Sequence, residues 1–190
     1  ISEKGEIQCK NDKSQPLSVW VEPTLVPEDN PLAGVSGVNN AILVEGNPIG
    51  QVMFFGPGAG SGPTASAVVA DILNIAGIHS ISEDKTFNLD PLLSAKSWRS
   101  CHVAEEKEIT KKNYIRLIAE DTPGVIGEIG TIFGNKEISI ESIVQFDVSN
   151  SEAEIVVITH KIKKGLLDEA LLDIKNLPQV KRIASTMGCL

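Results

Sequence analysis

Four glycines at alternate positions, Gly56, Gly58, Gly60 and Gly62, punctuate this chain more sharply than anything else in it. Before them stands an apolar run of strand length, Gln51 to Phe55. After them come Pro63 and then Val68, Val69, Ile72, Leu73 and Ala76 at helical spacing, a pattern that predicts one buried helix face. The stretch therefore reads as strand, tight turn, helix. Glycine at such density lets a backbone bend abruptly and approach a neighbour closely. Pro63 suits the first helical position, where its missing N–H costs nothing, and Gly77 is placed to end the helix. Unpaired N–H groups at the helix start suit an anionic or polar ligand group. The loop is not a Walker loop, because no Gly-Lys-Ser/Thr follows, and its glycine intervals do not fit G-x-G-x-x-G. Chemistry alone leaves a structural turn and a ligand-approach loop as equal readings.

Composition excludes several classes of function. A net charge of −8 argues against a nucleic-acid or anionic-membrane partner, both of which need a basic surface. No apolar run reaches membrane-spanning length and no signal peptide opens the chain. Cys9, Cys101 and Cys189 are too few and too scattered for a disulfide framework or a zinc site, which points to a reducing, cytoplasmic setting. His79, His102 and His160 have no partner at metal-ligand or triad spacing, so neither a metal site nor a catalytic residue is expected here. The 190 residues could hold one domain or two small ones. The opening residues read as mid-domain sequence, so a C-terminal fragment of a longer chain is expected.

Before the glycine turn, Leu17 to Val26 reads as a strand carrying Trp20 and interrupted by Pro23. Ala41 to Val44 and Ile49 to Phe55 form a hairpin through Glu45-Gly46-Asn47-Pro48. Asn39 and Asn40 stand just ahead of that hairpin, where turn chemistry explains them. Residues 81–111 are polar and read as a linker, with a weak apolar cluster (Leu89, Leu92, Leu93, Trp98) and a solvated charge run, Glu105-Glu106-Lys107-Glu108.

A second unit follows over 112–190. Tyr114 to Glu120 is a strand with Ile115, Leu117 and Ala119 on one face, and Asp121 to Gly124 is a turn. Val125 to Phe133 is a helix; Ile138 to Val148 is a strand with Ile138, Ile140, Val144, Phe146 and Val148 expected on one face. Ala153 to Thr159 returns, Leu167, Ala170, Leu171 and Ile174 mark a second helix, and Val180 to Ala184 closes as a strand. The order βαββαβ is the ferredoxin-like arrangement, so the fold class is α+β. Ile155 to Ile158 is apolar on both sides of its strand, which requires cover on the face away from the helices. Gly127 and Gly130 each cost a helix about 1 kcal/mol against Ala and point to close backbone approach, by the sheet or by a second copy.

Asp121-Thr122-Pro123-Gly124-Val125 after the first strand, with Ile138-Ser139-Ile140 opening the next, makes this second unit resemble an ACT domain, the small-molecule regulatory module of amino-acid metabolism. The first unit, over about 1–80, resembles the end of the catalytic domain of homoserine dehydrogenase. That resemblance rests on Val21-Glu22-Pro23-Thr24-Leu25, Pro31-Leu32-Ala33, Gly37-Val38-Asn39-Asn40-Ala41-Ile42, Gly56-Pro57-Gly58-Ala59-Gly60 and Pro63-Thr64-Ala65-Ser66-Ala67-Val68. It implies an oxidoreductase that interconverts L-homoserine and L-aspartate 4-semialdehyde with NAD or NADP, on the route to threonine, methionine and isoleucine. It implies cofactor contact at Gly58, Ala59 and Gly60, and an amino-acid effector, threonine as end product, at Asp121, Thr122, Pro123, Gly124 and Val125. It also implies a homo-oligomer formed through the ACT unit. The family's dinucleotide fingerprint and proton-shuttling lysine have no counterpart here, so the fragment alone is expected to be inactive. The alternative is a stand-alone amino-acid-binding ACT regulator.

Overall fold

The computed structural model describes residues 7–8, 16–82, 100–148 and 151–190. The weak apolar cluster of the linker, Leu89, Leu92, Leu93 and Trp98, lies outside the described residues, as does Cys9. The chain divides into two compact units, one built on 101–190 with 11–25, the other on 26–100 with 7–10.

In the first of these units the strands are β6 (Thr110–Glu120), β7 (Ile140–Val148), β8 (Glu152–Thr159) and β10 (Val180–Cys189), in the order β10-β6-β8-β7. All three pairings are antiparallel, with α2 (Val125–Asn135) and α3 (Lys164–Lys175) as the crossovers. This is the expected βαββαβ order. Ile115, Leu117 and Ala119 of β6 and Ile155 and Val157 of β8 meet Val125, Ile129 and Phe133 of α2 and Leu167, Ala170 and Ile174 of α3 in one buried cluster. Alternation on the strands and i, i+4 spacing on the helices put those side chains on facing surfaces.

Two expectations fail in this unit. β7 does not carry its apolar residues on one face. A register shift between Ile140 and Ser142 is a bulge, and beyond it the alternation reverses. Ile140 and Ile143 pack against the core while Val144 and Phe146 stand exposed on the other side. The expected strand over Leu17–Val26 shrinks to β2 (Thr24–Leu25) and a bridge from Leu17 to Val103. β2 pairs in parallel with the end of β10, Gly188 opposite Thr24. Residues 16–25 thus pack with the C-terminal module. The Glu22 carboxylate lies over Gly188, where a Cβ would have to displace it.

The short strand β9 (Ile162–Lys163) pairs with the start of β6 just before α3. No acidic residue lies in the first turn of α3, and Lys163 and Lys164 sit at its positive end. The Glu105–Glu108 run offsets that charge: Glu108 pairs with Lys163 at 2.6 Å and Glu106 with Lys164 at 3.3 Å. The run forms a 3₁₀ turn over Glu106–Glu108, so it is a docked element as well as a solvated one.

In the other unit β3 (Asn39–Gly46) and β4 (Gly50–Pro57) form the expected hairpin around a cis Asn47–Pro48 bond, and β4 runs through the glycine turn into α1 (Ser61–Ser82). The two-residue strands β1 (Ile7–Gln8) and β5 (Ser100–Cys101) pair with each other. α1 begins two residues before Pro63, which still lies in the first turn where proline is tolerated, and it runs through Gly77 without stopping. Its apolar residues are not buried: Ile72 is 58% and Leu73 65% exposed, and no residue of 26–77 is buried. One hairpin and one helix cannot enclose a core between them. No helix among the described residues is long and apolar enough to cross a membrane.

Candidate functional site

The glycine turn closes on its own hairpin. The amide of Gly58 donates to the Val38 carbonyl at 2.9 Å, and hairpin register sets Asn40 opposite Gly56. The Asn40 side chain consequently lies over Gly58, so closely that a Cβ at Gly58 would collide with its amide. Gly60 has φ +122, a conformation that L side chains rarely adopt, and its carbonyl accepts from Thr64 at 3.1 Å in the first turn of α1. Both glycines therefore have reasons internal to the turn. A Cβ at Gly56 or Gly62 would meet nothing within 4 Å. Gly58, Ala59 and Gly60 are exposed and lie directly before a helix start with no acidic residue in its first turn. Such an opening can receive a polar or anionic group against backbone N–H.

The second expected site is the turn between β6 and α2. Gly124, at φ +99, is the N-cap of α2, and no side chain caps the helix. Asp121 is thus not its cap. Its backbone N–H donates to the Ser151 carbonyl at 3.0 Å, while its carboxylate accepts from Gln145 Nε2 of β7 at 2.8 Å. Asp121, Thr122, Pro123 and Gly124 are exposed; Val125 is buried in the core, so only its backbone can face a ligand. Periodicity could not pair Asp121 with Gln145, because the partnership depends on β7 folding back beside the turn through β8. The Asn40–Gly58 packing escaped notice for the same kind of reason, although the hairpin register contained the signal.

Cβ atoms at Gly127 and Gly130 would likewise meet nothing within 4 Å. The sheet of this chain is therefore not what these two helix glycines accommodate.

On the face of the sheet away from the helices, β6 and β8 are joined by an ion pair. Arg116 donates to Glu154 at 2.6 Å. That hydrogen bond holds the Glu154 carboxyl below its ordinary range and raises the Arg116 guanidinium. His160 stands 3.7 Å from Glu141, which pairs with Lys112, and makes no catalytic constellation. Cys189 is a free thiol raised by burial. Among the described residues no cluster could hold a metal ion.

Residues 4–73 match the family model for homoserine dehydrogenase, and residues 113–179 match that for the ACT domain. A homoserine dehydrogenase from Synechocystis is 47% identical over 179 residues, covering 94% of this chain and 41% of the relative. One from Neisseria gonorrhoeae is 37% identical over 168 residues, 87% of this chain and 38% of its own length. A crystal structure of homoserine dehydrogenase from Thiobacillus denitrificans aligns at a TM-score of 0.78 with 30% identity, over 91% of this chain and 39% of that one. The chain spans about two fifths of the length of these relatives. With two modules matched and more than nine tenths of its residues aligned, the chain is similar to a part of homoserine dehydrogenases, a stretch that matches the dehydrogenase model followed by one that matches the ACT domain.

Proposed function

We propose that this chain serves an NAD- or NADP-dependent oxidoreductase that interconverts L-homoserine and L-aspartate 4-semialdehyde in the cytoplasm, as its glycine turn and its regulatory domain. The observation that carries the reading is the uncovered apolar surface of residues 26–77, where Ile42, Phe54, Phe55, Ile72 and Leu73 are all more than half exposed around the glycine turn. Soluble domains rarely leave such a surface open. It fits one side of a catalytic domain whose other side comes from the rest of a dehydrogenase. Gly58, Ala59 and Gly60 would present backbone to the cofactor, and the first N–H groups of α1 would supply positive potential there. A bound nicotinamide supplies the hydride chemistry; this chain's part is to approach it without side chains. The purified chain is expected to show no homoserine-dependent reduction of NAD or NADP, because positioning of both reactants supplies much of the rate. Turnover by the chain alone would overturn this. In a full-length dehydrogenase of this sequence, Gly60→Val is expected to raise the cofactor KM tenfold or more, and an unchanged KM with normal melting would leave the loop as a turn only.

The ACT domain fits an amino-acid effector, threonine, held at Asp121, Thr122, Pro123 and Gly124 and at the Val125 N–H. The uncapped, exposed start of α2 supports that reading. Self-association would cover Val144 and Phe146 and fill the open space beside Gly127 and Gly130. Sedimentation of the chain as a dimer or higher oligomer, with a melting temperature that climbs with the logarithm of threonine excess, is the expected result. A monomer with no shift would remove both halves; a stand-alone regulator would show the shift with no dehydrogenase partner.

A further inference from the structure

Where residues 16–25 lie along the start of β6, Trp20, Glu22, Glu106, Ile109, Lys111 and Lys164 line a cavity of about 340 Å³. That is the lower end of the range for small-molecule sites, about 300–1,000 Å³. Its apolar wall is the half-exposed Trp20 and the buried Ile109. Its polar wall carries two ammonium groups and two carboxylates. Lys111 pairs with Glu22, the two side chains being only 11% and 25% exposed. Lys164 reaches Glu106 at 3.3 Å and Asp168 at 2.6 Å. The second carboxylate oxygen of Glu22 is buried against Gly188 and has no hydrogen-bond partner among the described residues. Anchoring of the 16–25 segment accounts for the Lys111–Glu22 pair. It does not account for the groove beside that pair, where two ammonium groups and two carboxylates converge around Trp20.

We infer that this cavity is a second small-molecule site, one that takes a small zwitterionic α-amino acid. A simple anion would meet Glu22 and Glu106 as well as the lysines, and a simple cation would meet the lysines as well as the glutamates. A zwitterion satisfies both: carboxylate toward Lys111 and Lys164, ammonium toward Glu22 and Glu106, a short apolar side chain against Trp20 and Ile109. The site is separate from the Asp121 turn. Lys111 and Glu120 lie at opposite ends of β6, and nine residues of strand span roughly 30 Å. The inference therefore does not depend on effector binding at that turn.

The test uses the full chain with Trp98→Phe, which leaves Trp20 as the sole tryptophan of the two in the sequence. Its emission is followed during titration with L-alanine, L-threonine and L-valine. N-acetyl-L-threonine and L-threonine methyl ester, each with one charge removed, are the controls. A saturable change with at least one amino acid is expected, at least tenfold weaker with either control. Lys164→Met and Glu106→Gln, checked for unchanged circular dichroism, are each expected to weaken it by roughly tenfold, the scale of one charge-assisted hydrogen bond. Asp121→Asn is expected to leave it unchanged. No saturable response to any of the three amino acids, equal response to the single-charge controls, or a response that survives both cavity variants or vanishes in Asp121→Asn would overturn the inference.

Discussion

Single residues explain themselves here by what a substitution would displace. A Cβ at Gly58 would strike the Asn40 side chain rather than fixed backbone, so Gly58→Ala is expected to destabilise the 26–100 unit by about 1–2 kcal/mol. Most of that loss should disappear in an Asn40→Ala background, which urea unfolding of the four members of the cycle would measure. Full additivity would mean that the two residues do not interact. The Glu154–Arg116 pair makes a pH prediction. Its hydrogen bond lowers the Glu154 carboxyl, so the native state favours the ionised form. The stabilisation is present above the ordinary carboxylate value and is lost as pH falls through the lowered one. Melting temperatures of the parent and of Glu154→Gln should therefore differ near neutrality and converge in acid. A gap that widens on acidification would contradict the assignment.

At the scale of elements, α2 is where packing and ligand geometry share one helix. Phe133 at its end is fully buried, and Phe133→Ala is expected to cost about 3–5 kcal/mol. Gly124 at its start has φ +99 and open space around it, so Gly124→Ala should cost about 1 kcal/mol through backbone conformation alone, with the core intact. The bulge in β7 makes that strand two-sided: Ile143 serves the core and Phe146, 53% exposed, the outer face. Phe146→Lys should then leave the melting temperature of the dissociated chain nearly unchanged while weakening self-association at least tenfold in sedimentation. Loss of fold without any change in association would place Phe146 in the core instead.

Across the whole molecule the two units differ in how their apolar residues are satisfied. The βαββαβ unit buries a continuous cluster between sheet and helices. In the 26–100 unit no residue of 26–77 is buried, although its hairpin and helix are as apolar in sequence as those of its neighbour. Local opening free energy follows buried apolar contact. Amides of α1 and of the β3–β4 hairpin should accordingly exchange with solvent at least about a hundredfold faster than those of β6 and β8, by hydrogen exchange on the full chain. Equal protection in the two units would mean that the helix and hairpin are covered in solution.

The amino-acid pattern alone determined the order of elements. Alternation at Ile115, Leu117 and Ala119 and i, i+4 spacing at Val125, Ile129 and Phe133 are local, and the core they predict is the core found. The strand, glycine turn and helix around Gly58 were legible for the same reason. Where residues distant in sequence had to meet, the pattern was silent. Only the tertiary structure paired Thr24–Leu25 with the end of β10, set Gln145 against Asp121, and closed the cavity between Trp20 and Lys164. It also decided which face of β7 turned inward, because one bulged residue reverses every side chain after it. Periodicity states that a surface is apolar; what lies against that surface is settled by contacts the local pattern does not encode.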